Sequence, residues 1–277
     1  MENYKYQSME TLLAAIKYEE HKWYICADFK VIGLLMGLQG GNTKFPCFLC
    51  EFDSRARNQH YKKNEWPHRK EYSVGKYNIQ QKHLDDPSKI YLPPVHIKLD
   101  LIKQFIKALD VDSAAFDTLI DTFPKISCLK LKEGILNDPD IRKLLQSEEF
   151  VFTLTEKHFE AWKSFEQIVS GFLGNKKKEN YKQIVEKLID NYEKMGAEMS
   201  LKMHFLKCHL DFFPQLNLEA ISNEEGERFH EDLEIMETRY RGKSSRKMMG
   251  DYCWALIRES KSNKYSFNRK TRAHRHF

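Results

Sequence analysis

The chain has 277 residues, 41% hydrophobic and 13% aromatic, enough for one large core or two small ones. No apolar run nears the roughly 20 residues that cross a bilayer; the longest is Val31 to Leu38. The amino-terminal stretch lacks the apolar core of a secretory signal, so the expectation is a soluble intracellular protein of nucleus or cytoplasm, with no membrane partner. A formal charge of +5 with both signs well mixed permits a polyanionic partner without demanding one.

Taken in chain order, Leu12, Leu13 and Ile16 predict a short amphipathic helix within Met9 to His21. Trp23 to Phe29 is β-rich and reads as a buried strand ending on an acid, Asp28. The apolar run then continues through Val31 to Leu38 until Gly40 and Gly41 stop it. Phe45 to Pro94 is polar, turn-rich and studded with His, Tyr and Lys, so something other than an apolar core must order it. From Ile97 the pattern turns helical, with Leu101, Ile102, Phe105, Ile106 and Leu109 on one face. Further helices are expected over Asp140 to Leu145, Glu156 to Leu173, and along the stripe Tyr181, Ile184, Val185, Leu188, Ile189, Tyr192 and Met195. Ser222 to Tyr240 opens with a capping-box pattern, and Trp254, Leu256 and Ile257 close the last helix. Lys261 to Phe277 holds six Lys or Arg, two His and no acid, a basic tail that reads equally as disordered or as nucleic-acid-binding.

Four groups of residues can carry chemistry. Asp28 sits where a strand would fix its carboxylate for a metal or substrate; the plainer reading is a cap for the next turn. Of six cysteines, Cys26, Cys128, Cys208 and Cys253 are isolated, and Cys47 and Cys50 form a CxxC whose two sulfurs can reach one tetrahedral zinc. His204 and His209 are separated by about 140° on an ideal helix, so they share a metal only if the helix ends or bends between them. His204 with Cys208 suits a straight helix better. Finally, Glu224, Glu225 and Glu227 crowd a helix start, where acids complement the macrodipole even without a metal.

In order, these are an acid on a strand, a CxxC, a long helical insertion, a histidine pair, and an acid on a helix. That order resembles the Transib-type transposases and the recombination-activating recombinase of vertebrate immunity. Asp28 lies 19 residues before Cys47, and Glu227 lies 18 after His209, both similar to that pattern. The stretches GLQGGNTKFPCFLC, SLKMHFLKCHLDFFP, EEGERFHEDLEIMETRYRG and MMGDYCW also resemble transposon-derived reading frames of invertebrate genomes, almost to Arg258. The resemblance implies a mainly α fold with a few β-strands, an incomplete RNase H-like catalytic core interrupted by a helical insertion domain. The core remnant would span residues 1–60, the insertion 61–198, the closing core helices 199–260, and the basic tail 261–277.

The resemblance further implies that Cys47, Cys50, His204 and His209 hold structural Zn2+. Asp28 and Glu227, with Glu225 as the near rival, would bind Mg2+ or Mn2+ for phosphodiester cleavage and strand transfer on DNA. Two divalent cations about 4 Å apart activate a water or 3′-hydroxyl in such chemistry. A first aspartate belongs on an earlier strand, before this sequence begins. The expectation is therefore a truncated or domesticated core, inactive alone, with a homodimer or a complementing chain among its partners. The alternative is a zinc-stabilised nucleic-acid or protein interaction module. Arg55, Arg57, Lys62 and Lys63, near the CxxC, are the candidate DNA contacts.

Overall fold

Apolar residues at helical spacing dominate this chain, and the protein is mainly helical. The computed structural model describes residues 6–174, 177–214, 224–241 and 245–261 and, of 224–231, 245–246 and 259–261, the backbone only. Residues Met1–Asn223 form one compact unit and Glu224–Phe277 a second.

The first unit opens with α1 (Tyr6–Ala15), which buries none of its residues. A strand follows, but β1 is only Ile25–Cys26, paired in parallel with β2 (Ile90–Tyr91). The expected strand over Trp23 to Phe29 is cut short because Asp28 starts α2 (Phe29–Leu35) by capping it. The apolar run from Val31 is thus helical. Ile32, Leu35 and Met36 fall three and four apart and are buried, so the run follows a helical period rather than a strand's. Gly37 ends it with φ +64, and a Cβ there would lie 2.1 Å from the Gln81 carbonyl oxygen, so only glycine lets the returning chain approach.

Residues 36–93 hold little regular structure besides β2: two 3-10 turns and two isolated bridges, Leu38 with Ile79 and Cys50 with His68. Beyond them lie α3 (Pro94–Lys107), α4 (Ala114–Thr122), α5 (Cys128–Lys132), α6 (Asp138–Leu145), α7 (Glu148–Phe152), α8 (Glu156–Gly171), α9 (Tyr181–Met195) and α10 (Leu201–Cys208). Local chemistry marks their ends. Pro94 supplies a preset φ in the first turn of α3, and Asn137 with Asp140 completes a capping box on α6. Gly196 takes a left-handed conformation to end α9. The faces of α3 and α9 are buried as their periodicity demands, Tyr181 alone staying half-exposed on α9. Phe105, Phe150, Trp162 and Tyr192 interlock at ring-centroid distances from 5.1 to 6.4 Å. Each such side chain stabilises by about 2–3 kcal/mol through burial.

The second unit contains α11 (Glu224–Tyr240) and α12 (Ser245–Lys261). Tyr240 hydrogen-bonds to Asp251 between them, and Met248 and Tyr252 are its buried apolar residues among those described. The basic segment 262–277 lies outside the described residues. Among the described residues no helix is long and apolar enough to cross a membrane.

Candidate metal centre

Two pieces of chain separated by the helices α3 to α9 meet at one buried point. From the loop after α2 come Cys47 and Cys50; from the middle of α10 comes His204 and from just past its end His209. Their ligand atoms all lie within 4.8 Å of one another. Cys50 Sγ is 3.2 Å from His204 Nε2 and 3.3 Å from His209 Nε2, and Cys47 Sγ is 3.6 Å from His209 Nε2. A tetrahedron with metal–sulfur bonds of about 2.3 Å and metal–nitrogen bonds of about 2.05 Å has sulfur-to-nitrogen edges of roughly 3.5 Å. The separations therefore match a four-coordinate Cys2His2 site, and the soft sulfur and imidazole donors suit a metal such as zinc.

The obstacle posed by the histidine spacing is removed by where α10 stops. Its last residue is Cys208, and His209 leaves the helix at φ −135, ψ 44, which turns its ring back toward His204. A 3-10 turn over Leu210–Phe212 follows, with the Phe212 amide donating to the His209 carbonyl at 3.1 Å. Cys208 takes no part in the cluster: its thiol donates to the Asn64 carbonyl at 3.4 Å.

On the other side, the CxxC is shaped by a short backbone ladder. The Arg69 amide donates to the Leu49 carbonyl, and the Glu51 amide to that of Pro67. Inside the turn the Leu49 amide points at Cys47 Sγ, 3.4 Å away, as suits a thiolate. Arg69 is buried and stitches three carbonyls together, donating from Nε to Cys47 and from Nη2 to Phe45 and Tyr77. Lys207, one position before the end of α10, donates to the carbonyls of His60, Tyr61 and Lys63. Nothing in the sequence separates Arg69 and Lys207 from surface cations, because their partners are carbonyls that only the folded loop presents. Phe52 stacks on His204 at 4.0 Å and Trp66 packs edge-on to Phe52, closing the site from water.

The electrostatics suit a metal. The hydrogen bond with Cys47, followed by those with the two histidines, holds the Cys50 thiol well below its usual range against the opposing effect of burial. Burial, then the bond with Cys50, pushes the Cys47 thiol up. Burial also lowers the His204 pKa, favouring the neutral imidazole that ligates. A metal held by all four would have no open position for substrate, the arrangement of structural rather than catalytic zinc sites.

The carboxylates are placed differently. Asp28 lies two residues past β1 and caps α2, its Oδ1 accepting from the amides of Lys30 and Val31 at 2.7 and 2.8 Å. Glu225 and Glu227 fall in α11 of the second unit, and their side chains lie outside the described residues. Of the expected DNA contacts, Arg55, Lys62 and Lys63 are exposed, while Arg57 is engaged by Glu198 at 2.7 Å.

Residues 1–84 match a family described as a domain of unknown function (DUF8703), and residues 94–174 match a second such family (DUF8704). The gap between the two matches contains β2, immediately before α3, so the first covers the Cys turn and the second most of the helices that separate it from the histidines. No curated protein and no solved structure matches the chain.

Proposed function

We propose that this chain is a zinc-braced part of an RNase H-like cut-and-paste DNA transposase core, acting on DNA in the nucleus. The observation that carries the reading is the convergence of Cys47 and Cys50 with His204 and His209 across the intervening helices. That is the ligand set and chain order which the resemblance to Transib-type transposases implies, and order alone does not bring four side chains together. The zinc would fasten the loop after α2 to the end of α10. Mg2+ or Mn2+, bound by Asp28 and by Glu227 or Glu225, would supply the activated water or 3′-hydroxyl of phosphodiester chemistry. Asp28 is suited to its share: the amides of Lys30 and Val31 fix the carboxylate through Oδ1, which leaves Oδ2 for a cation. The reading assigns this chain DNA binding and a share of the metal site.

A second reading, a zinc-stabilised interaction module without a catalytic role, is favoured by the same Asp28, whose helix cap is already a sufficient reason for an acid there. Calorimetric titration of the zinc-loaded chain with Mn2+ separates the two. Asp28→Asn keeps a good cap but removes a charge, and Glu227→Gln does the same on α11. The transposase reading expects Mn2+ binding that each variant weakens by on the order of ten-fold. No Mn2+ binding, or binding indifferent to both variants, would leave the interaction module standing.

A further inference from the structure

Two segments carry a strong excess of positive charge, residues 39–83 and the tail from Lys261 to Phe277. Residues 39–83 contain nine Lys or Arg and four acids, an excess equal to the net +5 of the whole chain. Part of that excess forms a continuous surface with aromatic rings on the outer side of the Cys turn. Lys44 Nζ lies 5.0 Å from the Phe45 ring centroid, and Phe45 meets Tyr77 edge-on at 5.1 Å. The Arg69 guanidinium sits 6.0 Å from the Tyr77 ring. Tyr77, Arg69, Lys70 and Lys76 together line a depression of ≈ 380 Å³. Glu51 and Glu71 line it too, with Glu71 accepting from Ser73, and Asp53 pairs with Lys44. Lys70 and Lys76 are exposed.

Tyr77 is the unusual member. Its backbone is left-handed at φ 47, and so is that of Asn78 at φ 66. Asparagine tolerates this conformation, and here its side chain also binds the Phe45 amide and Gln39. A tyrosine does not favour it, and a glycine would sit there without strain. Yet the residue is 41% exposed, so burial does not account for its presence. The peptide is nonetheless held hard, because Arg69 binds the Tyr77 carbonyl with one hand and the Cys47 carbonyl with the other. The conformation that presents the ring is thereby tied to the turn that carries two metal ligands. Strain kept in place by its surroundings and spent on exposing a side chain is a mark of binding surfaces.

We infer that Tyr77, flanked by Phe45 and by Lys44, Lys70 and Lys76, is a stacking and phosphate-binding platform for single-stranded DNA. An exposed ring among flexible cations matches the two needs of an unpaired strand, a face for a base and counter-charge for its backbone. This rests on the DNA-binding reading above and deepens it. The test is fluorescence anisotropy of the zinc-loaded full chain with a short oligothymidylate and with a duplex, over a salt series. Tyr77→Gly is expected to weaken oligothymidylate binding on the order of ten-fold. Its zinc content should not change and its Tm should be level or higher, because glycine relieves the strain. Lys70→Gln with Lys76→Gln should lower the slope of log affinity against log salt by about 1.4, at 0.7 per phosphate contact. Oligothymidylate binding untouched by both variants, or binding of duplex alone, would overturn the platform while the DNA reading survives. Binding of neither nucleic acid would overturn both.

Discussion

The first unit contains two regions that share one apolar core but order their backbones by different routes. From α3 to α9 the chain is held by apolar faces: Phe105, Trp162, Phe165 and Tyr192 are wholly buried, and polar groups act mainly as caps at helix ends. From residue 36 to 93 there is almost no repeating structure. Contrary to the sequence expectation it does send apolar side chains into the core, Phe48, Phe52, Trp66, Ile90 and Leu92 among them. The rest is held by cations on carbonyls, backbone ladders and the Cys half of the candidate metal cluster. The contrast teaches that irregular backbone stays ordered when enough of its carbonyls find fixed donors, since each one buried without a partner would cost about 1–3 kcal/mol. A metal at the Cys2His2 cluster would fasten this irregular region to α10.

Removal of the metal should break the symmetry between the regions most strongly. Structural zinc contributes roughly 10–16 kcal/mol in small metal-dependent modules at neutral pH. Cys47→Ser, or chelation, is expected to leave most of the helical far-ultraviolet signal and to open residues 36–93 to limited proteolysis. A loop that stays protease-resistant without metal would mean that its polar ties suffice. Next in size, Trp162→Ala should cost about 3–5 kcal/mol in denaturant unfolding while one equivalent of zinc is retained. Zinc loss in that variant would show that the two regions unfold as one block.

Lys207→Met tests the joint, because that ammonium connects α10 to three carbonyls of the loop. A loss of about 1–3 kcal/mol is expected, with proteolysis beginning near residue 60. The smallest effect concerns His158, a buried residue of α8 whose Nδ1 contacts Thr155 and whose Nε2 finds no partner among the described residues. Burial, helped by Lys157, lowers its pKa below the usual 6.5. The unfolded chain therefore binds that proton more readily, so stability is complete above pH 6.5 and declines as pH falls toward the folded value. Tm measured against pH should flatten in this window for His158→Phe relative to wild type; identical profiles would remove His158 as the cause.

Much of the helical region is legible from spacing alone. The stripe from Ile184 to Met195 is buried, and helices over 156–171 and 224–240 fall close to where the pattern sets them. The short helices α4, α5 and α7 escape notice, because five to nine residues are too few to show a period. Val31 to Leu38 escapes for another reason: an almost unbroken apolar run has no period to display, and only the Asp28 cap and the burial of every third or fourth residue make it a helix.

The CxxC can be named as a metal motif from the sequence, and the resemblance adds His204 and His209, but spacing alone leaves Cys208 as a rival and does not show that the four meet. Cysteines two apart reach one metal by local geometry, so that half of the site is written in the chain itself. The histidine half depends on α10 ending at Cys208, and neither glycine nor proline stands beside it to signal a stop. What ends the helix is packing, with Phe212 and Phe213 drawn against rings of distant elements, Phe48 and Phe172. Sequence by itself determined the donor types, the apolar stripes and a basic loop in need of a brace. Tertiary structure decided that His209 rather than Cys208 faces the thiols, that Arg69 and Lys207 are structural cations, and that Asp28 caps a helix. The physical reason is that spacing encodes which side chains share a face of one element, whereas a site built from two elements depends on where each one stops.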